Sequence, residues 1–255
     1  MVRILTLAYG IVSYATFLVT FVYAVGFLGN VGVPKSIDSA AAVPWPAALA
    51  IDAALLALFA VQHTVMARQG FKRALLRFVP EGAERPTFVL ASSLALLLLF
   101  WQWQPLGGVV WDVADPLGRA LLVGGFAFGW LLVLGTTFLI NHFDLFGLRQ
   151  AWREFLGEPQ APLPFVTPLY YRLVRHPLYV GWLFTFWSTP TMTVTHLLFA
   201  VATTAYILVG IQFEERDLMR AHPEYAEYRR RVPMLLPVGP RQSAPAPAAT
   251  RVERA

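Results

Sequence analysis

Residues 178–212 read LYVGWLFTFWSTPTMTVTHLLFAVATTAYILVGIQ. A helix needs roughly 20 mostly apolar residues to cross the hydrocarbon core of a bilayer, and this run is much longer. It is interrupted once, at Ser188-Thr189-Pro190, a combination that signals a turn or a break. The reading is a tight helical hairpin that enters the membrane and returns to the same side. Its first arm, Leu178–Trp187, is short for a full span. The second, Thr191–Gln212, is long enough.

Toward the N-terminus four more runs satisfy the same length rule: Ile4–Leu28, Trp45–Met66, Thr87–Trp103 and Leu117–Ile140. The first exceeds the roughly 7–15 apolar residues of a secretory signal, so it is read as a retained span. Composition agrees. Of 255 residues 57% are hydrophobic and 14% charged, whereas soluble domains carry about 25% charged residues. The predicted fold is all-α: a polytopic helical membrane protein with four spans, a C-terminal helical hairpin and an active site at the cytosolic face. Residues 1–237 form one integral-membrane domain, and the Pro-, Ala- and Arg-rich stretch 238–255 is expected to be disordered.

The cations orient these spans. Arg68, Lys72, Arg73, Arg77 and Arg85 lie between spans two and three, and Arg149, Arg153, Arg172 and Arg175 follow span four. Arg216, Arg220, Arg229, Arg230, Arg231, Arg241, Arg251 and Arg254 follow the hairpin, while only Lys35 and Arg119 lie on the opposite side. The positive-inside rule then puts both termini in the cytosol. The net charge of +5 is thus a topology signal and a contact with anionic lipid heads. No nucleic-acid motif accompanies it, so nucleic acid is not an expected partner. With no cysteine and five histidines lacking close ligand spacing, no metal site is expected.

Polar density outside the basic loops falls in three segments on the cytosolic side. In Arg175-His176-Pro177-Leu178-Tyr179-Val180-Gly181-Trp182, the residue before proline is driven to an extended conformation, and Pro177 suits the first position of a helix. The amides of Leu178, Tyr179 and Val180 then open that helix and attract an anion such as a ligand carboxylate. Tyr179 and Trp182, three apart, share a face, and Gly181 permits close approach of a ligand or another helix. Interfacial decoration of a helix start accounts for each residue singly; the pattern as a whole is read as functional. In the second segment, Glu214 and Glu215 stand where a helix leaves the membrane and can hold an ammonium or ribose hydroxyls. Tyr225 and Tyr228 share a helical face and can line an adenine pocket. The third segment, Asn141–Gln150, follows span four directly. His63, near the cytosolic end of span two, can reach the site; His196 and Asp52 lie toward the outer side, and His196 is read as structural. Gly125 and Gly129 in span four are read as a packing feature.

These stretches resemble a known family. Arg175–Trp182, Glu214-Glu215 and Pro223-Glu224-Tyr225…Tyr228…Arg231-Val232-Pro233 resemble the isoprenylcysteine carboxyl methyltransferase superfamily, integral-membrane enzymes that use S-adenosylmethionine. Asn141–Gln150, Tyr171–Trp182 and Thr189–Thr193 look like its nurim-like branch, and within it the bacterial methanethiol S-methyltransferases. The resemblance covers nearly the whole chain before about Val238. It implies a bacterial inner-membrane location, and a cofactor pocket contacting His176, Pro177, Leu178, Tyr179 and Gly181, completed by Glu214, Glu215, His222, Tyr225 and Tyr228. It also implies a small thiol, methanethiol, as substrate and dimethyl sulfide as product.

The expected chemistry is in-line attack of a thiolate on a sulfonium methyl group, at about 3–3.5 Å approach. A small thiol is mostly protonated at neutral pH, so a base or a positive field helps. His142 with Asp144 is the expected base pair, with Arg149 or Arg175 supplying the field; capping and anchoring at the end of span four is the equal alternative for His142 and Asp144. Phe143, Trp182 and Phe186 are expected to form a small apolar acceptor pocket, with His63 beside it. Other readings stay open at this point: another acceptor (a prenylcysteine carboxylate or a phospholipid amine) or a non-catalytic nurim-like scaffold. A transporter ranks low, since no inverted repeat appears.

Overall fold

The structure, a computed structural model, describes residues 1–161 and 165–238. The tail expected to be disordered therefore lies outside the described residues apart from Val238. The chain forms α1 (Val2–Gly29), α2 (Trp45–Ala67), α3 (Gln69–Leu75), α4 (Glu81–Gln102), β1 (Val109–Asp112), α5 (Pro116–Ile140), α6 (His142–Leu145) and α7 (Leu148–Leu156). After a 3-10 turn at Leu169–Arg172 come α8 (Pro177–Trp187), β2 (Thr191–Thr193), α9 (Val194–Ala221) and α10 (Tyr225–Arg231). Five of these helices, α1, α2, α4, α5 and α9, are long and apolar enough to cross a membrane. This is a multi-pass helical membrane protein. α8 has 11 residues and is thus about 16 Å long at 1.5 Å per residue. It reaches only part-way through a core of about 30 Å, as the short arm of a hairpin.

Expected boundaries move by more than two residues at two spans. The third span begins at Glu81, ahead of the expected Thr87. Glu81, Glu84 and Arg85 are charged, so an apolar run starts only after the helix has already formed. Thr191–Thr193 pairs as a strand, so the second arm of the hairpin starts at Val194 rather than Thr191, and its helix runs on to Ala221 rather than Gln212.

The loops sort onto two ends. At one end β1 pairs antiparallel with β2, Val109 opposite Thr193 and Asp112 opposite Thr191. The α1–α2 loop joins them: Thr193 Oγ1 donates to Asp38, and Lys35 Nζ donates to the Trp101 carbonyl at 2.7 Å. At the other end α7 lies against α1 and α4. Ala151 is fully buried, and a Cβ on Gly10 would sit 2.4 Å from its side chain. Gly147 turns the chain into α7 with φ of 85°, a conformation glycine adopts without strain. There Arg85 Nε donates to the Leu145 carbonyl at 2.7 Å.

α5 and α8 pack along their length on small residues. A Cβ on Gly125 would meet Ser188 Oγ at 2.8 Å, one on Gly129 would meet Phe184, Thr185 and the Gly181 carbonyl, and one on Gly181 would meet Val133. With little apolar driving force between helices in lipid, such backbone approach gains dispersion energy directly. The register is antiparallel: position 125 opposes 188, 129 opposes 184–185, and 133 opposes 181. Continued one turn, it brings Thr137 level with Pro177, the opening of α8. Behind this pair the core centres on Trp103, which has no exposed surface and meets Phe27 and Phe199 edge-on.

Candidate active site

His176 precedes α8 at φ −125° and ψ 63°, out of the helical region as the following proline demands but short of the extended conformation expected. Its amide donates to the Met234 carbonyl at 3.2 Å, and the Arg175 amide to Pro233 at 2.9 Å. The C-terminal segment is thereby laid beside the start of α8. The Val180 amide is bonded to the His176 carbonyl, which corrects the expectation of three free amides. Leu178 and Tyr179 remain at the helix start, where no side chain caps them.

A buried carboxylate organises this corner. Glu215 is 2% exposed. Its Oε1 accepts from Arg175 Nε at 2.7 Å and from His176 Nε2 at 3.1 Å, and its Oε2 lies 3.0 Å from Arg229 Nε. Arg175 Nη1 also donates to the carbonyls of Arg229 and Val232. Glu215 is therefore the hub of a clamp, and Arg175 is committed to it, so neither fits the freer part expected of it: Glu215 on a ligand, Arg175 as the field on a thiolate. Glu214 differs. Its side chain is 45% exposed and its Oε2 accepts from Tyr179 Oη at 2.8 Å, leaving carboxylate surface free beside the helix start.

Tyr225 and Tyr228 do share a face, with ring centroids 5.6 Å apart. Phe165 packs on both and on His222. The Tyr225 hydroxyl is buried with no hydrogen-bond partner among the described residues, and Tyr228 Oη donates to the Tyr171 carbonyl. Burial pushes the Tyr171, Tyr225 and Tyr228 phenols up, with the Glu214 or Glu215 carboxylate adding to it. All three are neutral donors.

A second polar point lies under the end of α5. His142 is 3% exposed. Its Nδ1 is 2.8 Å from Thr137 Oγ1 and its Nε2 is 2.8 Å from Tyr14 Oη. Its ring stacks on Phe138 and meets Phe17, Phe143 and Phe146. Burial pulls the imidazole below its ordinary range, so it is neutral at pH 7. The expected His142–Asp144 pair does not form: Asp144 is bound to Arg149 at 2.7 Å. Residues two apart in a helical turn point to different sides, and α6 is a single turn.

Comparisons with known proteins bear on both points. A protein from Crocosphaera subtropica named methanethiol S-methyltransferase is 55% identical over 236 residues, 92% of each chain. Its namesake from Mycobacterium tuberculosis is 54% identical over 238 residues, 93% of this chain and 98% of that one. The chain belongs to the methanethiol S-methyltransferase family. Nurim from Mus musculus is more distant, 31% identical over 205 residues covering 73% of this chain and 78% of nurim. No family model matches, and no solved structure matches.

For this member of the methanethiol S-methyltransferase family, the apolar residues expected to make one pocket are distributed. Trp182 is 5.3 Å from Trp130 and 5.7 Å from Phe186. Phe186 continues into the core against Phe199. Phe143 lies by Tyr14 and His142. His63 packs between Phe59 and Phe88, with Nδ1 3.2 Å from Ser92 Oγ. Gly181 is accounted for by the approach of α5. An aromatic chain through Trp182, Trp130, Phe21 and Phe17 to His142 spans the space between the two polar points. Sequence reasoning missed Tyr14, which meets its partner across 128 positions, Arg229, which stands among other arginines, and Thr137, whose partner is only five residues on. A shallow apolar groove bordered by Val2, Leu5, Tyr9, Val79 and Thr87 contains none of the candidate residues.

Proposed function

We propose that this protein methylates the sulfur of methanethiol, giving dimethyl sulfide, with S-adenosylmethionine as the methyl donor. The observation that carries the reading is the joining of Arg175, His176 and Tyr179 to Glu214 and Glu215 in a chain more than 50% identical, over about nine-tenths of its length, to proteins named methanethiol S-methyltransferase.

The residues suit such a donor. Its methionine end carries a carboxylate and an ammonium. The Leu178 and Tyr179 amides at the start of α8 complement the first, and the exposed Glu214 carboxylate complements the second. The orphaned Tyr225 hydroxyl supplies a further polar contact, and the Tyr228 and His222 rings supply stacking surface beside Phe165. Pro177 and Leu178 shape the floor, and Glu215, through Arg175 and Arg229, holds the walls together. When bound, the donor supplies an electrophilic methyl group. The protein aligns the thiol, excludes water with its aromatic chain and takes the thiol proton, for which His142 is the base. An apolar thiol reaches that site through the bilayer.

The location follows the charges. The basic segments meet at the end that carries α3, α7 and α10, which supports an inner-membrane protein with both termini and this site at the cytosol. The test is gas chromatography of cells expressing the chain and fed methanethiol, with calorimetric titration of the purified protein by S-adenosylmethionine. Dimethyl sulfide above background and saturable binding are expected. Binding without product points to another acceptor; neither binding nor product leaves a non-catalytic role.

A further inference from the structure

His142 is placed as a base, but a thiol cannot reach it directly. Both ring nitrogens are occupied, at 2.8 Å each, by Thr137 Oγ1 and Tyr14 Oη. The ring is 3% exposed and covered by Phe17, Phe138 and Phe146. Tyr14 is only half-buried and is the member of this triad with surface to offer.

The proton positions are fixed by counting donors. A threonine hydroxyl has one hydrogen. Thr137 Oγ1 donates it to the Leu134 carbonyl at 2.7 Å. Toward His142 it can therefore only accept, so His142 carries its proton on Nδ1. Nε2 is then a lone pair, and the Tyr14 hydroxyl donates to it. Thr137 also lies on the face of α5 that the α5–α8 register brings level with Pro177, so the triad sits at the depth of the α8 opening.

We propose that Tyr14 is the catalytic residue that meets the thiol, relaying its proton to His142. This rests on the methyl-transfer reading above. The thiol S–H bond breaks and its proton goes to Tyr14 Oη, while Tyr14 passes its own proton to His142 Nε2. The sulfur electron pair forms the new S–C bond, and the pair of the broken sulfonium C–S bond stays on the donor sulfur. The resulting imidazolium donates from Nδ1 to Thr137 and from Nε2 to Tyr14, so every partner in the triad is suited to both protonation states. The charged groups on neighbouring elements are already engaged: Asp144 with Arg149, and Arg85 with the Leu145 carbonyl. α1 contributes Tyr14 and the neutral Phe17.

The test compares turnover, its pH profile and S-adenosylmethionine affinity in wild type and Tyr14→Phe, which keeps the ring and loses only the hydroxyl. The expected result is unchanged affinity with turnover lower by about 100-fold or more at pH 7, the scale of a lost proton transfer. Tyr14→Phe then depends on preformed thiolate, so its turnover rises about tenfold per pH unit below the thiol pKa, whereas wild type is flat from neutral pH, where His142 is unprotonated, up to the thiol pKa. Should Tyr14→Phe lose cofactor binding, Thr137→Val reads the same relay at Nδ1, with a comparable loss of turnover expected. Wild-type turnover with a wild-type pH profile in either variant overturns the relay alone. A wild type that binds the cofactor yet forms no dimethyl sulfide overturns the methanethiol reading, and the relay with it.

Discussion

The two polar points of this molecule are built in opposite ways. Around Glu215 of α9, three charged or chargeable groups share one buried carboxylate: Arg175 and His176 just ahead of α8, and Arg229 of α10. Around His142, a neutral imidazole is wrapped in phenyl rings and holds two hydroxyls. The difference matches the two molecules the proposed reaction brings together. A zwitterionic, highly charged donor belongs with ion pairs and helix-start amides. A small apolar thiol belongs with aromatic rings and a base that costs no charge to bury. The α5–α8 glycine contact holds the two environments at one depth.

That division is open to attack from either side. The largest effect is expected for Glu215→Ala. Removing one member of a buried ion cluster leaves Arg175 and His176 uncompensated, a loss of about 3–5 kcal/mol. Thermal unfolding in detergent should show a much lowered midpoint, with cofactor binding lost alongside. Next comes His142→Ala, for which turnover should fall by about 10²–10⁴-fold while S-adenosylmethionine affinity measured by calorimetry stays within error. A parallel loss of affinity would mean the two points are one site. Glu214→Gln should do the reverse, weakening cofactor affinity by about tenfold, or about 1.4 kcal/mol, with unfolding unchanged because the side chain is half exposed.

The smallest effect is a pH dependence. Burial lowers the His142 pKa from an ordinary 6.5, so the unfolded chain binds more protons than the folded one below that value. The stability this group contributes is therefore complete above about 6.5 and is lost as pH falls toward the folded value. His142→Asn should remove this part of the acid destabilisation, seen as a shallower fall of the unfolding midpoint between pH 7 and 5. An identical slope in both proteins would place the acid sensitivity elsewhere.

Much of the frame was legible in the chain. Span limits at Trp45 and Ile140 coincide with helix limits, and Ser188-Thr189-Pro190 does divide α8 from α9. Gly125 and Gly129 do mark a helix contact. In each case the signal is local: an apolar run, a breaker, a spacing. What was not legible depends on contacts between distant residues. β1 and β2 are short and pair across about 80 positions. Tyr14 meets His142 across 128. Arg229 stands among three successive arginines, and nothing in that run distinguishes the one that reaches Glu215. The expected His142–Asp144 pair does not form for a local reason: the two point to different sides of a single turn, and each finds another partner.

The most direct measurement is a single-turnover reaction of the purified protein with methanethiol and S-adenosylmethionine deuterated in its methyl group, the headspace gas being analysed by mass spectrometry. The expected result is dimethyl sulfide carrying the intact deuterated methyl group, in an amount that tracks the enzyme. Dimethyl sulfide without the label, or none from protein that binds the donor, would contradict the assignment of this site to methyl transfer onto methanethiol.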